Sequence, residues 1–211
     1  MLHKIIEHLE KGENFSFSRF GDGEWACLLG KNGANCDGHA YFHDMGDRLL
    51  KIVESNPKYY MGLQTLAENT YPDEIAKYPI EWVESDCLHR ASIRGEIQPF
   101  FDVLNKKNIV FVGNHRHQKQ SIIKVDKFIE VPINDCWRKY KDVLEEIRTS
   151  IDKDDVIIYC ASMMANVLID DIYNEFGNTV TQIDCGSLFE PYMGISIRSY
   201  HSKLIQKLKQ K

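Results

Sequence analysis

An α/β fold with a Rossmann-like, doubly wound and mostly parallel sheet, helices on both faces, is the architecture that this 211-residue chain predicts. Three observations predict it. Residues 109–112 (IVFV) and 156–160 (VIIYC) are unbroken apolar runs, the pattern of strands buried on both faces as in parallel sheets. Around them the pattern alternates strand, helix, strand, helix, strand over 108–184, as α/β domains do. The length suits one well-cored domain, residues 1–211, and a composition of 43% hydrophobic and 27% charged residues is that of a globular protein.

The elements follow in order. Leu2, Ile5, Ile6 and Leu9 recur at helical spacing, predicting a helix over 2–11. Phe15 and Phe17 alternate with polar residues, predicting a strand over 14–19 with one buried face. It ends at a tight Gly21-Asp22-Gly23-Glu24 turn, and the run from Trp25 to Leu29 opens a helix over 24–30. Gly33, Asn35, Asp37 and Gly38 make 31–42 a loop. A helix over 43–55 and a short strand over 59–63 come next. Residues 72–106 are a polar-aromatic helical region punctuated by Pro79 and Gly95. After the strand at 109–112, residues 128–132 form another. Asn134 or Asp135 caps a helix to about 151, with Trp137, Tyr140, Val143, Leu144 and Ile147 facing inward. Following the strand at 156–160, Ser162 is the expected N-cap of a helix over 163–176, and 179–183 is the last strand. Residues 203–211 are basic and amphipathic, a helix end with cations near its negative pole; contact with a membrane surface or a partner is the sharper alternative.

Composition excludes several classes of function. A net charge of −5 gives no electrostatic case for nucleic-acid binding, and basic residues are not interleaved with aromatics. No apolar run approaches the ~20 residues of a membrane span, and the N-terminus lacks a signal-peptide core. Six cysteines are scattered with no C-x-x-C pair, which suggests reduced thiols and a cytoplasmic protein. Zinc-finger spacing, a G-x-G-x-x-G fingerprint, a P-loop and a Ser-His-Asp order are all missing.

In doubly wound sheets ligands sit beyond the carboxyl ends of the strands, at a switch in strand order. That rule selects four segments. The first is Ser18-Arg19-Phe20-Gly21-Asp22-Gly23-Glu24. Two carboxylates on a turn suit a divalent cation that prefers oxygen, Mn²⁺ or Mg²⁺, with Asp22 and Glu24 as its ligands. Arg19 beside them is a partner for phosphate, so the turn suggests a nucleotide-diphosphate site; ordinary Gly-Asp turn chemistry is the competing explanation. The second is Gly113-Asn114-His115-Arg116-His117, where Asn114, His115 and Arg116 offer donors to anionic oxygens. The third is the segment at Ser162, the start of a helix. The fourth places Asp184 directly after a strand, positioned for general-base work or for turn capping.

With these residues in view, the chain resembles the GT-D type glycosyltransferases, bacterial enzymes first catalogued as a domain of unknown function. The R-F-G-D-G-E string at 19–24 is the specific part. PINDCWRKY (132–140), ANVLIDDI (165–172) and QIDCGSL (182–188) are similar to the family's later segments, so the resemblance runs from about residue 15 to about residue 193. It implies a single Rossmann-like domain that transfers a sugar from a nucleotide donor, UDP-sugar foremost, to a glycan or glycoconjugate acceptor. The D-x-E pair is then Asp22 and Glu24, holding the metal on the donor diphosphate. Ser18, Arg19, Gly21, Gly23, Asn114, His115, Arg116, Asn134 and Ser162 are the expected donor-binding residues. Asp184, with Asp135 second, is the expected group for acceptor activation. Ser162-Met163-Met164 and Ser187 depart from the family's Gly-Pro-Thr-type turn and from its His after D-x-G, so the sugar does not carry over. Tyr71, Tyr78, Trp82, Phe100 and Phe101 suit helix packing, an acceptor wall, or the face of a homo-oligomer. A metal-dependent nucleotide-sugar phosphohydrolase and a non-catalytic nucleotide-sugar binding module are the alternative functions.

Overall fold

The computed structural model describes residues 1–209. One seven-stranded sheet organises them. Its strands are β1 (Ser16–Phe20), β2 (Tyr60–Leu63), β3 (Val83–Glu84), β4 (Ile109–Gly113), β5 (Lys127–Glu130), β6 (Val156–Cys160) and β7 (Thr181–Asp184). They lie in the order β3-β2-β1-β7-β6-β4-β5, and all pairings are parallel. The chain lays β1 to β3 outward to one edge and β4 and β5 outward to the other. It then fills the middle with β6 and β7, so the two halves meet where β1 pairs β7.

The helices are α1 (Leu2–Lys11), α2 (Asp22–Leu28), α3 (His43–Ser55), α4 (Thr65–Thr70), α5 (Pro72–Ile75), α6 (Cys87–Arg94), α7 (Gln98–Leu104), α8 (Tyr140–Arg148), α9 (Met164–Phe176) and α10 (His201–Leu208). They cover both faces because the central strands are apolar on both. Along β4, Val110 and Val112 join Trp25, Leu49, Leu144 and Leu168 in the core beneath α2, α3, α8 and α9. Ile109 and Phe111 join Ile5, Leu88, Phe100 and Phe189 in the core beneath α1, α6 and α7. Each fully buried side chain of this size contributes about 1.5–3 kcal/mol. A polar spine crosses the sheet: the Tyr159 hydroxyl donates to Gln182 Oε1, and Gln182 Nε2 donates to Ser16 Oγ, at 2.8 and 2.9 Å. It ties β6, β7 and β1 together with its buried polar atoms paired.

Several expectations are corrected. β1 is central and buried on both faces, since its paired neighbours bring a core to each side: Phe17 enters one core and Phe20 the other. The 72–106 region contains β3, a two-residue edge strand invisible to periodicity. Its aromatics pack inside: Trp82 meets Phe20 and Trp25, while Phe100 and Phe101 are buried, so they form no acceptor wall. The helix expected from 134 or 135 begins as a 3-10 turn, Cys136–Lys139, because Asp135 adopts a left-handed conformation with φ 48°. Ser162 is likewise left-handed, φ 53°, and Met163 rather than Ser162 precedes α9. At the C-terminus, α10 bears out the amphipathic helix; Gln210 and Lys211 of that expectation lie outside the described residues. All six cysteines are free, five of them buried. Among the described residues no helix is long and apolar enough to cross a membrane.

Candidate active site

A cleft of about 660 Å³ lies along the carboxyl edge of the sheet, where the strand order switches. That volume is within the range of small-molecule sites, roughly 300–1,000 Å³. Arg19, Asp22 and Glu24 line it from β1 and the start of α2; Asn114 and Arg116 come from the loop after β4, Ser162 from the loop after β6, and Asp184 from the end of β7. Thus the strand-end rule brings together residues up to 165 positions apart, Arg19 and Asp184 among them.

Arg19 is fixed by its neighbours. Its Nε donates to the Ser85 carbonyl oxygen at 3.0 Å, and Nη2 donates to Asp86 Oδ1 at 3.2 Å. These occupy two of the guanidinium's five donors. Burial opposes the charge, but Asp184, Asp86 and Glu24 outweigh it and push the Arg19 pKa up. Gly186 completes the cradle. It has φ 49°, and a Cβ there would overlap the Arg19 guanidinium, so both backbone and space require glycine in Asp184-Cys185-Gly186.

Asp22 and Glu24 sit in the first turn of α2 rather than on a free turn. The Gly21 N–H donates to Glu24 Oε2 at 2.8 Å, so this carboxylate caps its own helix. A Cβ at Gly21 would stand 2.8 Å from Gln64 Oε1, so the Gln64 side chain packs directly over this position. Two positions apart on a helix, the side chains of Asp22 and Glu24 leave the axis about 200° apart, yet both border the cleft. Burial pushes the Glu24 pKa up to about 7, with the Asp184 charge adding to it. Asp184 is 5% exposed, accepts from the Gly186 N–H at 2.9 Å, and is pushed up to about 6 by burial, with Arg19 holding it back.

Other expected residues fall elsewhere. Ser18 is buried within β1 and its hydroxyl has no partner among the described residues. Asp135 accepts from the Ala40 N–H at 3.1 Å and braces the 31–42 loop. Neither residue borders the cleft, and neither do Asn134 and His115. Ser162 does border it, its hydroxyl accepting from Asn35 Nδ2 at 2.9 Å, without the capping role expected of it. In the GNHRH loop it is His117 that turns inward, 3.3 Å from Glu190.

The lining of the cleft extends beyond the expected site residues. It includes Asp37, His89, His117 and Glu190, each with a buried polar atom that has no partner among the described residues. Burial, then Arg19, Arg198 and His201, keep His89 well below its usual pKa, as a neutral imidazole. Arg198 crosses from the C-terminal segment to Asp37 at 2.5 Å and also contacts Cys36. Gln64 directly follows β2, so the strand-end rule points to it. Asp86 follows the cryptic β3, and no local pattern marks Glu190 or Arg198.

Three solved structures share this architecture. One is described as showing that the highly conserved domain of unknown function 1792 has a distinct glycosyltransferase fold. It matches with a TM-score of 0.72 at 16% identity, over 92% of this chain and 81% of that one. A selenomethionine-substituted structure of domain of unknown function 1792 gives 0.73, also at 16% identity, over 92% and 81%. A structure described as a new glycosyltransferase (DUF1792) from Streptococcus sanguinis gives 0.73 at 16% identity, over 93% and 85%. The sequence matches no family model and no curated protein. The chain therefore has the distinct glycosyltransferase fold of those domains, as the R-F-G-D-G-E resemblance implies.

Proposed function

We propose that this protein is a metal-dependent glycosyltransferase that takes its sugar from a nucleotide donor, with UDP-sugars the first class to test, and passes it to a glycan or glycoconjugate. The observation that carries this reading is that Arg19, Glu24 and Asp184, close enough to shift one another's charge, line with Asp22 one cleft on the switch point of a glycosyltransferase fold. Arg19, with donors left over from Ser85 and Asp86, meets the donor diphosphate. Its fixed position means that charge building on the departing diphosphate is met without reorganisation.

Asp22 and Glu24 fit a hard divalent cation, Mn²⁺ or Mg²⁺. Their donor set is all carboxylate oxygen, the choice of such cations over thiolate or imidazole. Among the described residues no group of three or more His, Cys, Asp or Glu forms a self-sufficient metal cage. That suits a cation completed by substrate phosphate oxygens and water, as Mg²⁺ commonly is. When bound, such a cation supplies Lewis-acid stabilisation of the leaving diphosphate. The acceptor hydroxyl oxygen forms the new bond to the anomeric carbon as the bond to the diphosphate oxygen breaks. Asp184, ionised above pH about 6, takes the hydroxyl proton. Asp135, which braces the 31–42 loop, stands second to it as the group to test in that role. The unpartnered groups of the cleft lining, His89 and Glu190 among them, suit hydroxyl-rich ligands that both donate and accept.

Turnover of a nucleotide-sugar panel with Mn²⁺ and a glycan acceptor panel tests this. Release of nucleoside diphosphate that requires the acceptor supports transfer. Rapid acceptor-independent release makes the protein a hydrolase, and binding without turnover of any donor makes it a binding module.

A further inference from the structure

The cleft opens on a face whose charge is the reverse of the molecule's. The chain has a formal net charge of −5, yet residues 191–209 contain no acid and hold Arg198, Lys203, Lys207 and Lys209. Across the mouth, α6 adds Arg90 and Arg94 and no acid. The two segments are joined: Lys207 Nζ donates to the Ile93 carbonyl oxygen at 3.5 Å, and the Ser92 and Tyr192 hydroxyls share a hydrogen bond of 2.7 Å. Glu84, Glu96 and Asp37 match Arg90, Arg94 and Arg198 respectively. The surplus positive charge of this face therefore belongs to the lysines of the C-terminal segment. In α10, His201 and Leu204 pack inward and leave Lys203 and Lys207 exposed.

The same lip is apolar. Four large hydrophobic side chains are exposed among the described residues: Leu29, Leu66, Ile93 and Ile197. Ile93 (38% exposed) and Ile197 (41% exposed) both border the cleft. Scattered exposed apolar residues need no explanation, but these two flank one opening and stand beside the lysines. Apolar side chains that enter the headgroup region, ringed by cations that meet anionic lipid, are the chemistry of peripheral membrane contact. Isolated isoleucines beside exposed lysine heads suit a fluid surface that conforms to them, more than a folded partner that must match them.

We propose that the lip formed by Ile93, Ile197 and α10 docks this protein on an anionic lipid surface, with the cleft opening toward it. An acceptor held in that surface would then meet the cleft directly. The docking itself does not depend on the transferase reading, because it is read without turnover. The test is co-sedimentation of the full chain with vesicles of phosphatidylcholine alone and of phosphatidylcholine mixed with phosphatidylglycerol. Binding is expected only to the anionic vesicles, and is expected to weaken with added salt. Each lysine near such a surface is worth about fivefold in partitioning, so Lys203→Gln with Lys207→Gln is expected to weaken binding about 25-fold. Ile93→Ser with Ile197→Ser, in a separate variant, is expected to weaken it as well. All four positions are exposed, and unchanged melting temperatures confirm that the variants fold. Wild-type protein that stays in solution with anionic vesicles overturns the proposal, as does vesicle binding that neither double variant weakens. Capture of an acidic peptide without vesicle binding overturns it in favour of a protein partner.

Discussion

Glu24 caps α2 and also stands at the cleft, and the two roles separate by substitution. Glutamine retains an oxygen for the Gly21 N–H but loses the charge. Because burial raises the Glu24 pKa to about 7, its ionised form is unfavourable to the fold above that pH. Glu24→Gln is therefore expected to melt at or above the wild-type temperature at pH 8, while losing any response to Mn²⁺. Asp184 obeys the same sign. Its folded-state pKa of about 6 stands above the ordinary 3.8, so protonation favours the fold. That contribution is complete below pH 3.8 and is lost as pH rises through about 6. The shift corresponds to about 3 kcal/mol. Relative to Asp184→Asn, wild type is expected to lose about that much stability between pH 4 and pH 8, measured by urea titration at each pH. A gap that does not change with pH would show that Asp184 is not held in a penalised environment.

At the scale of elements, the position of α2 depends on α3. Gly46 of α3 faces the Cys27 carbonyl of α2, which a Cβ would overlap. Alanine is favoured over glycine by roughly 1 kcal/mol in a helix interior, but the obstacle here is backbone. Gly46→Ala is expected to be destabilising, by about 1–3 kcal/mol as for other overpacked sites, and to weaken donor binding by shifting Asp22 and Glu24. A melting temperature above wild type would refute that packing. The elements differed in how legible they were. β4 and β6 announced themselves as apolar runs because both of their faces are buried, and α1 and α8 by their apolar residues at helical spacing. β3 is two residues long and too short for any period to show. The left-handed turns at Asp135 and Ser162 were hidden because the 31–42 loop braces both, through Ala40 and Asn35. These are long-range contacts that no local pattern carries.

At the scale of the molecule, the strand-end rule found part of the cleft lining and missed the rest. Arg19 and Asp184 lie in the last two residues of their strands, Asp22, Glu24, Asn114, Arg116 and Ser162 follow strands, and all reach the cleft. The rest of the lining comes from α6 and from residues 190–200, where Glu190, Arg198 and Tyr200 are placed by tertiary contact with His117, Asp37 and His89. The sequence pattern therefore pointed to the residues proposed to meet the donor and was silent on the lining from α6 and residues 190–200. The central claim, a cation-dependent nucleotide site built on Asp22 and Glu24, is tested most directly by isothermal titration of nucleoside diphosphates into wild type and Glu24→Gln, with and without Mn²⁺. Wild type is expected to bind at least one diphosphate only with Mn²⁺, and Glu24→Gln to lose that binding while remaining folded. Binding that is the same in both proteins, or none by wild type to any diphosphate, would contradict the claim.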